Sequence, residues 1–161
     1  MSRMFVDNIV EKTSAKGVHI PGHCIQVQYN SQGNTGFSTT SSSDVAVTGF
    51  NVDITPKFSN SLIVFSTEIH GRPSADANAY IRFSIVDSLN NNTQWNSGTF
   101  AASEGYLQTG WITTPINHTN VAGTTNAMRL QLMVRVTGGG TYDISWSGGD
   151  IRTVQAMEIA Q

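Results

Sequence analysis

The sequence predicts an all-β fold, an antiparallel β-sandwich entered through an extended N-terminal arm. Three observations predict it. Apolar and polar residues alternate over short runs, the period of a strand buried on one face. Between the runs stand segments such as "NSQGNTG", "TPKFSN", "GRPSADAN", "DSLNNN", "VAGTTN", "TGGGT" and "SGGD". Gly and Asn there permit positive φ and Pro fixes φ, so each segment lets the chain reverse. No helical period runs for a useful length, beyond one short turn at Val6 to Lys12.

Residues 1–22 read apart from the rest. "MSRMFVDNIVEKTSAKG" is dense in charge, and "VHIPG" closes it with a turn signal. The segment is too short and too charged to make a core of its own. It is expected to lie as an arm on another surface or on a neighbouring copy, anchored through Phe5, Val6, Ile9, Val10, Val18 and Ile20.

Residues 23–161 read as the sandwich. "HCIQVQYN" sets Cys24, Gln26 and Gln28 against Ile25, Val27 and Tyr29. "VTGFNVDI" sets Phe50, Val52 and Ile54 against Gly49, Asn51 and Asp53, and "SLIVFSTEI" puts Ile63, Phe65 and Ile69 on one face. "AYIRFSIVD" points Ile81, Phe83 and Ile85 inward and Tyr80, Arg82 and Ser84 outward. "AMRLQLMVRV" alternates most cleanly, with Met128, Leu130, Leu132, Val134 and Val136 opposite Arg129, Gln131 and Arg135. Weaker runs cover Trp95 to Ala101, Tyr106 to Thr113, Thr141 to Trp146 and Ile151 to Ile159. About nine strands at this spacing make a jelly-roll-like sandwich.

Composition narrows the function. Only 12% of the 161 residues are charged, about half the usual share, and the net charge is −2. Such a surface offers no electrostatic footprint for nucleic acid. No apolar run approaches the length of a membrane span, and the N-terminal stretch has no apolar core of a secretory signal. The chain is therefore expected to be made in the cytoplasm. Cys24 is the one cysteine, so no internal disulfide frame is available. Edge strands usually defend themselves with charge. Their sparse charge here predicts edges and faces covered by further copies of the chain.

Reactive chemistry is thin. His19 and His23 stand four apart beside Cys24, but Pro21 and Gly22 between them forbid the helix that would bring both to one zinc ion. "DSLNNN" lacks the spaced carboxylates of a calcium loop and reads as an Asx-rich turn. No G-x-S-x-G elbow is present. Glu68, Glu104, Asp76 and Asp87 show no spacing that pairs them as glycosidase carboxylates. Gly138 to Gly140 precede a strand and so do not form a phosphate cradle. No catalytic residue, metal site or cofactor is expected, and the chain is not read as an enzyme. Trp95, Trp111 and Trp146 raise a carbohydrate-binding alternative, since sugars stack on aromatic faces.

Four segments carry a resemblance. "MFVDNIVEKTSAKGVHIPGHCIQVQ" resembles the opening of virion proteins of tailed phages, marine and cyanobacterial ones above all. There "VDxI" leads through "IPGHxIQV" into the first strand. "TGFNVDITPKFSNSLIVFS" is similar to the "TGLxVxITPxxxxSKILV" pattern of phage fibre and tail-associated domains. "AYIRFSIVD" and "VQAMEI" resemble that family's aromatic–Arg strand and its "VMEI" finish. The chain departs where Asp87 is followed by Ser88 rather than Gly, and where Leu62 follows Ser61 with no Lys between. The resemblance implies a virion protein, homotrimeric, on a tail, a fibre or the capsid surface. It would be tethered to other virion proteins by its arm, with a host-surface glycan as a candidate partner. The alternatives carried with it are a capsid decoration protein, of the cement or head-fibre kind, and a free carbohydrate-binding module.

Strand parity then sorts the loops. The arm and the turns at 56–60, 88–92, 114–126 and 147–150 fall at one end. The loops at 31–46, 72–78, 102–105 and 138–140 fall at the other. The second set points away from the anchor and nominates Phe37, Arg72, Asp76, Asn78 and Tyr106 as external contact residues. The three tryptophans are expected near the anchor or a neighbouring subunit.

Overall fold

The computed structural model describes residues 20–32, 36–73, 80–95, 100–103, 111–144 and 152–161. They form eleven strands: β1 (Cys24–Gln32), β2 (Phe37–Thr39), β3 (Val45–Ile54), β4 (Leu62–Pro73), β5 (Tyr80–Asp87), β6 (Thr93–Gln94), β7 (Phe100–Ser103), β8 (Ile112–Val121), β9 (Met128–Thr137), β10 (Tyr142–Ile144) and β11 (Arg152–Ile159). One sheet runs β1-β11-β4-β10-β2, with β8 also paired to β4. The other runs β3-β9-β5-β6, with β7 also paired to β5. Every pairing is antiparallel. The two sheets face each other as the alternation predicts.

The core is the set that the period-two reading puts inward. Ile63, Phe65 and Ile69 of β4, Ile81, Phe83 and Ile85 of β5, and Leu130, Leu132 and Val134 of β9 join one cluster. Burying each such side chain contributes about 1.5–3 kcal/mol.

The structure corrects several expectations. Residues 114–121, read as a turn, belong to β8 and pair with β4 from Leu62↔Val121 to Gly71↔Ile112. Pro115 and the threonines weaken the sequence signal. β8 pairs with β4 alone among the described residues, and an edge position tolerates a proline that cannot donate to a second ladder. The three-residue β2 is too short to announce itself. Gln131, expected on the solvent face, is buried, because residues 47–50 bulge out of the β3–β9 ladder and Gln131 fills the gap. Gly49, with φ of 82°, turns the chain there as only glycine does without cost. Ser84 is also buried, under Asp44, to whose Oδ2 its hydroxyl donates at 3.0 Å.

Gly71 shows how tightly one corner is packed. A Cβ added there would stand 2.3 Å from Tyr142 Oη and 3.0 Å from the Asp143 carbonyl oxygen. The Tyr142 ring is itself held edge-on against Phe83, 5.9 Å between centroids, and burial pushes its phenol pKa up. Gly71→Ala is therefore expected to lower unfolding free energy by about 1–3 kcal/mol, read by urea denaturation. A change below about 0.3 kcal/mol would show that the Tyr142 ring moves freely.

Candidate functional site

The registers gather several strand ends at the end of the sandwich where β1 begins. Cys24, Ile159, Leu62 and Val121 lie near one end of the first sheet, and Ile54 and Met128 near the same end of the second. Gly22 N donates to Ala160 O at 2.8 Å, and Ala160 N to His23 O at 2.9 Å, so residues 22–23 lie beside the end of the C-terminal strand. Ile20 is exposed. Phe5, Val6, Ile9, Val10 and Val18 lie outside the described residues.

Glu158 organises this end. It is fully buried on β11, where the alternation puts Val154, Ala156 and Glu158 inward. Its carboxylate accepts from Lys57 N at 2.8 Å, Phe58 N at 3.1 Å, Ser61 Oγ at 2.6 Å and Gln26 Nε2 at 2.6 Å. Burial pushes the carboxyl pKa up. The bonds from Ser61, Gln26, Lys57 and Phe58 together outweigh burial and hold it below the usual carboxylate range. Gln26 also donates to Thr55 O at 2.8 Å. One carboxylate thus ties β11, β1 and the β3–β4 turn together. The "AMEI" stretch is the only sequence signal for it: a lone Glu in phase with buried small residues.

The outer face of the first sheet is exposed at the same end. Val27, Met157, Val64 and Thr119 stand side by side across β1, β11, β4 and β8. Ile159, Leu62 and Val121 form the neighbouring row toward the arm. The Val27 and Val121 residues are 47% and 49% exposed, large values for valines in a sheet, and neither row carries a charge. In β1 the apolar phase faces out because Gln26 and Asn30 are turned inward. Asn30 Nδ2 donates to Asn51 O at 2.9 Å, across to β3. Tyr29, 72% exposed, continues the face on β1. β1 itself holds no charged residue and no proline to guard its edge.

Farther along the same face the surface turns polar. His70 stacks on Trp111 with centroids 5.3 Å apart, and the Arg72 guanidinium lies 4.9 Å from the Trp111 ring centroid. Arg72 also stands 3.6 Å from Asp143, which accepts from Ser38 Oγ at 2.7 Å. So Arg72 is on a strand with partners rather than on a loop. Phe37 belongs to β2 and packs half-buried against the core cluster. Asp76, Asn78 and Tyr106 lie outside the described residues. The tryptophans do not gather at the arm: Trp95 is at that end, Trp111 is at the opposite end beside Gly71, and Trp146 lies outside the described residues. Among the described residues no three His, Cys, Asp or Glu side chains come together as metal ligands, and no helix is long and apolar enough to cross a membrane.

No protein-family model matches the chain, and no curated protein sequence matches it. Solved structures do. A chain of infectious bursal disease virus, Gx strain, is 15% identical, with a TM-score of 0.47 over 84% of this chain and 32% of the viral one. A chain of the Gt strain is 14% identical, with a TM-score of 0.48 over 98% of this chain and 43% of its own. The Eiger TNF of S. frugiperda is 10% identical, with a TM-score of 0.45 over 84% of this chain and 92% of its own. This chain spans less than half the length of those viral chains.

Proposed function

We propose that this chain is a self-assembling structural module of a tailed-phage particle, a homotrimeric fibre or tail-appendage domain that aids host attachment. The observation that carries it is the pair of uncharged apolar rows across β1, β11, β4 and β8, which reach a β1 edge holding no charged residue and no proline. A contiguous apolar patch of this kind marks an interaction site. Further copies of the same chain are its occupant, because two such faces meet without burying a charge against a charge. The particle is supported by the likeness of the arm, the "ITP" strand pair and the "MEI" finish to phage virion proteins. Attachment then follows from copies held together, which multiply weak contacts.

Light scattering of the purified full chain is expected to give three times the 17.4 kDa chain mass. The double substitution Val64→Asp and Met157→Asp places carboxylates in the middle of the face and is expected to yield folded monomers, since like charges brought together cost several kcal/mol. A chain lacking residues 1–19 should keep the trimer mass and no longer enter particles. A wild-type monomer at micromolar concentration, or a doubly substituted protein of unchanged mass, overturns the assembly reading. Absence of the full chain from purified virions overturns the particle.

A further inference from the structure

Positive charge is scarce in this chain, with nine lysines and arginines in 161 residues. Two of the arginines nevertheless stand directly opposite each other. Arg82 of β5 is the cross-strand partner of Arg135 of β9, and side chains so opposed lie on one face of the sheet. It is the outer face, since their neighbours Ile81, Phe83, Val134 and Val136 all enter the core. Like charges directly opposite destabilise a strand pair, so folding alone supplies no reason for this placement.

The fold leaves the pair under-neutralised. Arg72 and Arg129 each have a carboxylate of their own, Asp143 and Asp53, and Arg129 takes both oxygens of its partner at 2.7 and 2.9 Å. Arg135 has Asp44, but Oδ1 of that residue stands 3.6 Å from Arg135 Nε, beyond hydrogen-bond length. The other oxygen of Asp44 accepts from the Ser84 hydroxyl at 3.0 Å. Arg82 is exposed and has no ion pair among the described residues. Two guanidinium groups and one carboxylate leave a single positive charge on this face.

One of the two arginines is held in place. Residues 41–44 run against β9, where Val136 N donates to Ser41 O at 2.8 Å, and Arg135 Nε is buried without a hydrogen-bond partner. That nitrogen is closed to any ligand. The Arg135 side chain as a whole is still 28% exposed, and Arg82 beside it faces solvent. Tyr80, 42% exposed, follows on the same face of β5. A guanidinium is always charged and only donates, and its planar fork suits an oxyanion. One uncompensated positive charge matches one negative charge, which is what a carboxylate carries.

We propose that Arg82 and Arg135 together bind one carboxylate group of a molecule outside the chain. This does not rest on the assembly reading, since the pair lies on the other sheet from the apolar rows and is complete within one chain.

The test uses the purified full chain, with sodium acetate exchanged for sodium chloride at constant ionic strength and about pH 6, where a carboxylate is ionised. The arginine Nε–H resonances are followed by NMR, those of the pair being assigned by their loss in Arg82→Gln and Arg135→Gln. Acetate is expected to shift both saturably. Arg82→Gln, read on the Arg135 resonance, is expected to weaken binding about tenfold, the worth of a hydrogen bond to a charged group. Arg135→Gln, read on the Arg82 resonance, is expected to weaken it as well. In chloride, Arg82→Gln is expected to unfold at the same urea concentration as the wild type or a higher one, because it relieves the repulsion. Four outcomes overturn the proposal: acetate shifts neither resonance saturably, neither variant weakens its binding, inorganic sulfate with its two charges binds more tightly than acetate, or Arg82→Gln lowers the urea midpoint in chloride and so assigns the arginine to the fold.

Discussion

Glu158→Ala is expected to lower unfolding free energy by about 3–5 kcal/mol, the largest effect of any single substitution proposed for this chain. The loss comes from what remains behind. Lys57 N and Phe58 N, the Ser61 hydroxyl and the Gln26 amide all point at the vacated carboxylate. Each buried donor left unpaired costs about 1–3 kcal/mol before partial relaxation. The β3–β4 turn, whose geometry those bonds hold, is expected to loosen first. Denaturation in urea at fixed protomer concentration measures the loss, and a value under about 1 kcal/mol would show that water replaces the carboxylate at little cost.

The same group sets a pH dependence. Its folded-state pKa lies below the unfolded value, which is about 4.3 for glutamate. The stabilisation is therefore fully present above the unfolded pKa and is lost as pH falls through the folded one. Wild-type stability is expected to drop on acidification below about pH 4 more steeply than that of Glu158→Gln, which has no proton to gain there. Parallel pH curves for the two proteins would remove Glu158 from the explanation of acid sensitivity.

Gln131→Leu is the second large effect, expected at about 2–4 kcal/mol. Leucine fills much the same volume, so packing is nearly conserved and the polar loss is isolated. Three carbonyl oxygens lie close to Gln131 Nε2: Val47 and Leu132 at 2.9 Å and Phe50 at 3.2 Å. Two of them belong to the bulge in β3 and lose the Gln131 donor. The urea midpoint should fall, and amide exchange of residues 47–50 should quicken relative to the β5–β9 ladder. An unchanged midpoint would mean that the bulge is held by Gly49 and its flanking strands alone.

How much of this was legible in the sequence varies by strand. β4, β5 and β9 are read almost residue for residue, because a sheet with one wet face writes its register as alternation. Residues 114–121 were opaque because threonine and asparagine suit turn and edge strand equally, and Pro115 argues against a central strand without excluding an edge. The apolar rows around Val64 and Met157 were hidden for a different reason. In "CIQVQYN" both phases are plausible inner faces until Gln26 and Asn30 are seen to have carbonyl partners at Thr55, just past β3, and at Asn51 within it. The Arg82–Arg135 pair was legible only as two separate outward residues, since the pairing of β5 with β9 brings them together.

The sequence by itself determined the class of fold, the faces of its strongest strands and the small charge, because these are local in the chain. Only the tertiary structure decided which amides bridge the sheets, that Glu158 is buried as an anion, which sheet face remains apolar, and which two arginines stand opposite each other. Those depend on hydrogen bonds between residues as much as 132 positions apart, and no local pattern of apolar and polar residues encodes where such a partner will be.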